Sequence, residues 1–311
     1  MNWIIQLPSP GHITEALFHY NHAANLLEKG ASSVEVSQTL SNAINKIQTE
    51  WVLQQDFPPE EKKRELEMFR RMVLEGIDEK SLQSLLQSNE LSDIVFFEPQ
   101  IMDHSVLRRH RYRPDEALEL GTAKKASVIH HRLKVAFNEY LSSSDEDTQQ
   151  RVLKRAAELL YIVRSNIAHG EKTPYGPDSI KMERDDNVCR KTIPLQKILI
   201  NLLLENPDTK LVVYGTLAPG EPNYSEISDI NGKWENCSIN GNIHISHGFP
   251  AFVWNQTGTI HNVQMFTASE LHDRWDRLDS LEGKYYKRIL VPAQTPNGLT
   301  IANCYQSNTQ P

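Results

Sequence analysis

The stretch Lys210-Leu-Val-Val-Tyr-Gly-Thr-Leu-Ala-Pro-Gly220 organises the C-terminal third of the chain. Its apolar run Leu211 to Tyr214 is mostly β-branched or aromatic, which predicts a buried strand. Gly215 ends this strand, because glycine frees the backbone from Cβ constraints. Backbone N–H groups from Gly215 to Leu217 would then leave the strand end, where they suit a carboxylate or a developing oxyanion. The stretch therefore predicts an anion-binding turn.

A distant carboxylate, Glu282, is the candidate partner of this turn. Thr267-Ala-Ser-Glu270 has the form of a helix capping box. The apolar face of the predicted helix continues at helical spacing through Leu271, Trp275, Leu278 and Glu282. Desolvation on that face raises the pKa of a carboxyl group toward the range of a general acid or base. The alternative is a solvated glutamate at a fraying helix end.

Several further motifs follow in order: Tyr214-Gly-Thr-Leu217, Gly220, Asn223, Gly241, Phe249-Pro-Ala251, Leu278-Asp-Ser-Leu-Glu-Gly283, Tyr286 and Arg288. Together they resemble the gamma-glutamylcyclotransferase-like family, and specifically its γ-glutamylamine cyclotransferase branch. The resemblance covers residues 211–306, about one third of the chain. It implies release of 5-oxoproline from a small γ-glutamyl compound, with Glu282 as the catalytic acid–base. It also implies substrate contacts from Tyr214, Gly215, Thr216, Leu217 and Tyr286.

The C-terminal third carries the signals of a small mixed β-barrel. Apolar alternation between polar turns predicts strands at 241–246, 249–254, 259–266, 287–293 and 300–306. The helix that ends at Glu282 is expected to pack on this barrel. The family resemblance implies the same fold.

Composition bounds the remaining possibilities. A hydrophobic content of 39% and a length of 311 residues fit about two soluble domains, and a net charge of -7 gives no global basic bias toward nucleic acid. The three cysteines are widely spaced, which favours a reducing cytoplasm over a disulfide framework and makes no metal pattern. No metal, cofactor, signal peptide or membrane span is expected.

Residues 1–206 are predicted to form a helical domain, and residues 207–311 the barrel domain. Helical apolar spacing recurs from Leu17 onward, on faces such as Val36, Leu40, Ala43, Ile47 and Trp51. An extended piece is expected at 94–97 and a loop at 171–187. Pro194 is expected to introduce a last apolar helix over 195–204.

The end of one predicted helix reads Arg164-Ser-Asn-Ile-Ala-His-Gly170, and residues 159–172 resemble the signature of HEPN domains. These are helical bundles, many of them ribonucleases, whose Arg-x4-x6-His motif is completed across a homodimer. Arg164 and His169 match the motif, whereas Ser165 stands where Asn or Asp is commoner. The resemblance implies a HEPN-like bundle, a homodimer through the helical domain and RNA cleavage by Arg164 and His169.

The residue types suit that chemistry without a metal. His moves protons near neutral pH, and Arg neutralises a phosphorane-like transition state. Helical residues five apart point about 140° from each other, which agrees with a site assembled from two protomers. Alternatively, His169 stabilises the helix end before Gly170 and Arg164 pairs with a local carboxylate.

The densest positive charge is Arg108-Arg-His-Arg-Tyr-Arg113. Arg108, Arg109, Arg111 and Arg113 with an interleaved tyrosine have the composition of an RNA phosphate-contacting patch. The alternative is a solvated loop, since charge runs usually face water.

Two functions therefore remain open for each half. The barrel is either a cyclotransferase or a non-catalytic ligand-binding or neutralising module. The helical half is either a ribonuclease, toxin-like and serving stress or phage defence, or a dimerisation module.

Overall fold

The computed structural model describes residues 3–98, 101, 128–168, 179–246 and 248–308. By spatial contacts the chain forms two compact units, Phe18–Leu203 and, separately, Asn2–Leu17 together with Leu204–Pro311. The sequence prediction drew one boundary, between residues 206 and 207. In the structure, residues 2–17 belong to the same compact unit as residues 207–311.

The N-terminal part is helical, as predicted. Its described α-helices are α1 Gly11–Glu28, α2 Ser33–Gln54, α3 Pro59–Lys62, α4 Glu65–Gly76, α5 Glu79–Leu86, α6 Asn89–Val95, α7 Val128–Ser142, α8 Glu146–Ala168 and α9 Ser179–Leu203. In the part of the chain that the structure describes, none of the helices combines the length and the apolar character needed to cross a membrane.

Helix α2 shows how the helical unit is built. A capping box begins it: the Ser32 Oγ accepts a hydrogen bond from the Glu35 backbone N–H at 3.2 Å, and a Glu35 carboxylate oxygen accepts one from the Ser32 N–H at 3.3 Å. The apolar face predicted from Val36 to Trp51 is buried throughout. This face packs against α9, while α8 packs against α4 and α7.

Three local predictions in this unit are wrong. The first two residues of the expected extended piece at 94–97 belong to α6, which Ser88 caps by accepting a hydrogen bond from the Leu91 N–H at 3.2 Å. The expected loop at 171–187 is wrong from Ser179 onward, where α9 begins. Pro194 lies inside this helix and does not introduce it. The helix tolerates proline because buried side chains continue on both sides of it, among them Cys189 and Leu195.

The C-terminal part forms a small β-barrel with a packed helix. Its strands are β1 Lys210–Val213, β2 Lys233–Ser246, β3 Phe249–Trp254, β4 Thr259–Thr267, β5 Tyr286–Thr295 and β6 Gly298–Ser307, and its α-helix is α10 Trp275–Glu282. The strand order is β3-β2-β4-β1-β6-β5, and a β2–β5 pairing at Ser238 and Gln294 closes the ring. β1 and β6 are parallel, and the other pairs are antiparallel.

Gly241 lies within β2, where it allows β3 and β4 to approach the strand closely. It pairs with Trp254 of β3 and with Thr259 of β4. A Cβ at this position would clash with the Phe252 ring and would lie 2.7 Å from the Val253 carbonyl oxygen. Only glycine fits here without displacing the buried Phe252 side chain.

An N-terminal segment, residues 3–17, completes the C-terminal unit. Its single 3₁₀ turn, Ile4–Gln6, packs against β6. The Ile4 side chain is 0% exposed, and its backbone N–H donates to a carboxylate oxygen of Glu205 at 3.0 Å. The barrel therefore packs against apolar side chains of the N-terminal segment. Ile4 lies 201 residues before its hydrogen-bond partner Glu205.

Candidate active site

A cavity of about 390 Å³ opens in the C-terminal unit where β1 ends. It is lined by the turn after β1, by the end of α10 and by the start of β5. The six residues that the sequence analysis assigned to this site all line it: Tyr214, Gly215, Thr216, Leu217, Glu282 and Tyr286. Leu281, Tyr285 and Pro250 line it as well. Pro250 and Leu281 belong to the motifs quoted above, but none of the three was predicted to contact the substrate.

The turn after β1 is held by hydrogen bonds to its carbonyl and side-chain oxygens. The Ala218 N–H donates to the Gly215 carbonyl at 3.0 Å, and Asn223 donates from its backbone to the Thr216 carbonyl at 2.9 Å and from its side chain to the Thr216 hydroxyl at 3.0 Å. Among the described residues, none accepts a hydrogen bond from the backbone N–H of Gly215, Thr216 or Leu217. These N–H groups remain available to a ligand oxygen.

Glu282 is the last residue of α10 and is partly buried. Burial raises the pKa of its carboxyl group from an ordinary value of 4.5 to about 7, and the nearby Asp279 charge adds to the shift. No described residue forms a hydrogen bond or ion pair with this carboxyl. The group can therefore take up or release a proton near neutral pH inside the cavity.

The predicted helix face is correct, but its predicted start is wrong. Leu271, Trp275 and Leu278 are buried as expected. However, Thr267 belongs to β4, residues Ser269–Asp273 form a 3₁₀ turn without a side-chain cap, and α10 begins only at Trp275. Gly283 then ends α10 with φ +58°, a backbone region that favours glycine.

Tyrosines form much of the cavity wall. The Tyr214 hydroxyl donates to the Tyr305 carbonyl oxygen at 2.7 Å, and the Tyr214 ring packs 5.6 Å from the Phe252 ring. The Tyr286 hydroxyl lies 3.4 Å from the Pro250 carbonyl oxygen. Burial raises the pKa of the Tyr214 and Tyr286 hydroxyls, so both stay neutral while Glu282 titrates.

Asp279, one turn before Glu282, lies in a network that the sequence analysis did not assign. Its two carboxylate oxygens accept from Arg288 at 3.0 and 3.1 Å, and one of them also accepts from the Tyr305 hydroxyl at 2.7 Å. Asp279 and Arg288 both belong to the motifs quoted from the sequence, so the two residues themselves could be found there. Their pairing across nine residues, however, depends on how α10 packs against β5.

The helical unit places Arg164 in an ion pair. Its guanidinium donates to a Glu65 carboxylate oxygen at 2.8 Å and lies 5.2 Å from the centre of the Tyr161 ring. The Tyr161 hydroxyl donates to the other Glu65 oxygen at 3.0 Å. His169 lies outside the described residues, as do Arg108, Arg109, Arg111 and Arg113.

Comparison with known proteins bears on the C-terminal unit. Residues 211–311 match the family model for gamma-glutamyl cyclotransferase, AIG2-like. The chain therefore contains an AIG2-like domain, which occupies about a third of its length. No curated protein matches the chain.

Solved structures also resemble a third of the chain. YkqA from Bacillus subtilis is 26% identical over 33% of this chain and 36% of its own, with a TM-score of 0.28. An AIG2-like protein from Mus musculus is 20% identical over 33% of this chain and 79% of its own, with a TM-score of 0.29. PH0828 from Pyrococcus horikoshii is 20% identical over 33% and 80%, with a TM-score of 0.27. The chain thus spans little more than a third of YkqA.

Proposed function

We propose that the C-terminal unit is a cyclotransferase that releases 5-oxoproline from a small γ-glutamyl compound. One observation carries the proposal. The Glu282 carboxyl, with a pKa raised to about 7, lines the same cavity as a turn whose N–H groups at 215–217 have no acceptor in the described chain. A proton-exchanging group and an oxyanion-binding turn are the two parts that this reaction needs.

The reaction requires no nucleophile from the protein. The substrate's α-amine attacks its own γ-carbonyl carbon, a five-membered ring closes, and the bond to the leaving amine breaks. Glu282 takes the proton that the attacking nitrogen loses and delivers a proton to the departing nitrogen. The free N–H groups of Gly215, Thr216 and Leu217 hold the substrate carboxylate or the oxyanion that forms between these steps.

The cavity lining favours a γ-glutamylamine over a γ-glutamyl amino acid. Among the described residues that line it, Glu282 carries the only charge, and neither Lys nor Arg contributes to the wall. A second carboxylate on the leaving group would therefore enter without a cation to pair with it. Leu281 and Tyr285, both exposed, offer apolar surface to an uncharged leaving group.

The direct test is 5-oxoproline release, measured by chromatography, from a panel of γ-glutamylamines and γ-glutamyl amino acids. The expected result is turnover by the parent protein, with the amines preferred, and turnover by Glu282→Gln that is slower by about 10²-fold or more. No turnover on any member of the panel, together with retained ligand binding, would favour the non-catalytic ligand-binding alternative.

Gly215 offers a second test of the cavity. The expectation that Gly215 needs freedom from Cβ constraints is wrong: a Cβ built there meets no atom within 4 Å, and Gly215 has no positive φ. The protein should therefore accept Ala there without strain. The added methyl group would instead occupy space in the cavity that Gly215 lines. We expect Gly215→Ala to lower kcat/KM about 10- to 100-fold at an unchanged melting temperature, because one extra methyl group in a substrate pocket changes transition-state binding by about 1–3 kcal/mol. Unchanged kinetics would place the substrate elsewhere.

Ribonuclease activity of the helical unit stays a separate prediction. If Arg164 and His169 cleave RNA, then Arg164→Ala and His169→Ala should each abolish cleavage, and chelation of divalent metal should not. Glu65→Gln is the matched control, since it breaks the observed ion pair but keeps the arginine. Equal loss in Arg164→Ala and Glu65→Gln would indicate a structural arginine.

The homodimer also stays a prediction, which light scattering at micromolar concentration can refute.

A further inference from the structure

Arg288 of β5 holds two residues of α10 at once. Its guanidinium donates both hydrogen bonds of a fork to Asp279, at 3.0 and 3.1 Å. The same guanidinium lies over the Trp275 ring, 4.4 Å from its centre. A planar guanidinium offers two parallel N–H donors to a carboxylate and a flat face to a ring, a geometry that an ammonium group lacks. Arg288 therefore fixes the short helix that carries Glu282 against the barrel.

Tyr305 extends this contact network to the other half of the site. Its hydroxyl donates to Asp279 at 2.7 Å, and its carbonyl oxygen accepts from the Tyr214 hydroxyl at 2.7 Å. Tyr214 precedes the turn with the free N–H groups. Asp279 thus links the helix that ends at Glu282 to the strand end that carries the proposed oxyanion site.

We propose that Asp279 and Arg288 are positioning residues for Glu282, which orient its carboxyl toward the turn after β1 and set the pH range of its proton exchange. This inference rests on the proposed function, because it assumes that Glu282 is the acid–base group. Neither residue lines the cavity, so neither is proposed to touch the substrate.

The charges around Glu282 support this assignment. Among the described residues of the barrel, the titratable groups whose ionisation is coupled to Glu282 are Tyr214, Tyr286, Cys304 and Tyr305, and burial raises the pKa of all four. They are therefore neutral while Glu282 titrates. Burial is the larger cause of the raised Glu282 pKa; the Asp279 anion adds to it, and Arg288 offsets part of the Asp279 charge.

Two substitutions should move the Glu282 pKa in opposite directions. Asp279→Asn removes the anion and leaves Arg288 unneutralised, so the Glu282 pKa should fall by about 0.5–1 unit. Arg288→Met leaves the anion unneutralised, so the pKa should rise by a similar amount. A carbon-13 NMR titration of the Glu282 carboxyl, assigned by its loss in Glu282→Gln, measures both. The acidic limb of the pH profile of kcat should move in the same directions.

The NMR titration needs no substrate, so it separates this inference from the proposed function. Opposite shifts without turnover would support the charge pair and refute the cyclotransferase. Turnover without opposite shifts would support the cyclotransferase and refute the role of the charge pair. If Arg288→Met does not fold, Arg288→Lys takes its place. Because Lys keeps the positive charge, the Glu282 pKa should stay within about 0.3 unit of the parent value. The forked hydrogen bonds to Asp279 are lost, so kcat should fall. Shifts in one direction for both Asp279→Asn and Arg288→Met, or no shift in Asp279→Asn, would overturn the proposal.

Discussion

Glu282→Gln is expected to lower kcat for 5-oxoproline release by about 10²–10⁴-fold or more, the range that general acid–base catalysis contributes. The amide keeps the volume of the carboxyl and can still form hydrogen bonds, but it cannot exchange the proton that moves between the two nitrogens. Substrate affinity should change little, because the free N–H groups at 215–217 are untouched.

The measurement is a comparison of kcat with the dissociation constant of a γ-glutamyl substrate. Asp276→Asn is the matched control, since Asp276 is an exposed carboxylate on the same helix. It should keep parental turnover. Parental kcat in Glu282→Gln would remove Glu282 from the mechanism.

The same substitution should stabilise the C-terminal unit at high pH. The Glu282 pKa is raised in the folded protein, so the folded state binds more protons than the unfolded state between about pH 4.5 and 7. The contribution of Glu282 to the free energy of unfolding is therefore fully present below about pH 4.5 and is lost as pH rises through about 7. Glu282→Gln removes that loss. With an allowance for partial exposure, the gain at pH 8 is about 1–2 kcal/mol.

Hydrogen exchange of β1 and β6 amides at pH 8 and pH 5 measures this gain within the unit that carries Glu282. The gain should shrink at pH 5 and vanish near pH 4. A gain that is independent of pH would show that the carboxyl does not titrate in this range.

Ile4→Ala is expected to destabilise the C-terminal unit by about 2–5 kcal/mol. The Ile4 side chain is 0% exposed, and its turn packs against β6. Truncation removes buried methyl groups and leaves a cavity. Because a domain is stable by only about 5–15 kcal/mol, this one change removes a large share of the total.

Gln6→Ala is the matched control, because Gln6 belongs to the same 3₁₀ turn and is exposed. Hydrogen exchange of the β6 amides should accelerate strongly in Ile4→Ala and hardly at all in the control. Equal protection in both variants would show that the segment lies on the barrel without stabilising it.

Local sequence patterns predicted most of the barrel. The bounds of β3 are those expected from alternation, and β1, β4, β5 and β6 differ from the prediction by a few residues at most. The first half of β2 was missed, because the polar residues Glu235, Asn236 and Ser238 obscure its alternation. There the strand is specified by its partners β4 and β5 rather than by its own pattern.

Tertiary contacts explain the remaining errors. The capping box at 267–270 does not form, because the Ala268 N–H donates to the Thr209 carbonyl at 2.9 Å and Thr267 pairs in the sheet. The Asp279–Arg288 pair and the Tyr305 contact depend on strand packing that no local pattern encodes. For the candidate site, the sequence indicated the residues that line the cavity but not the network behind them.

The position of Ile4 also sets an order of events during synthesis. Residues 3–17 leave the ribosome long before Glu205, the hydrogen-bond partner of Ile4 that lies 201 residues later. The helical unit can fold while this segment waits, and closing so long a loop costs little more than closing a shorter one, because the entropy grows only with the logarithm of length. The barrel finishes folding only once β6 has been translated. A ribosome that stalls before β6 would therefore release a chain that lacks Tyr305 and Ser307, two of the residues that line the Glu282 cavity.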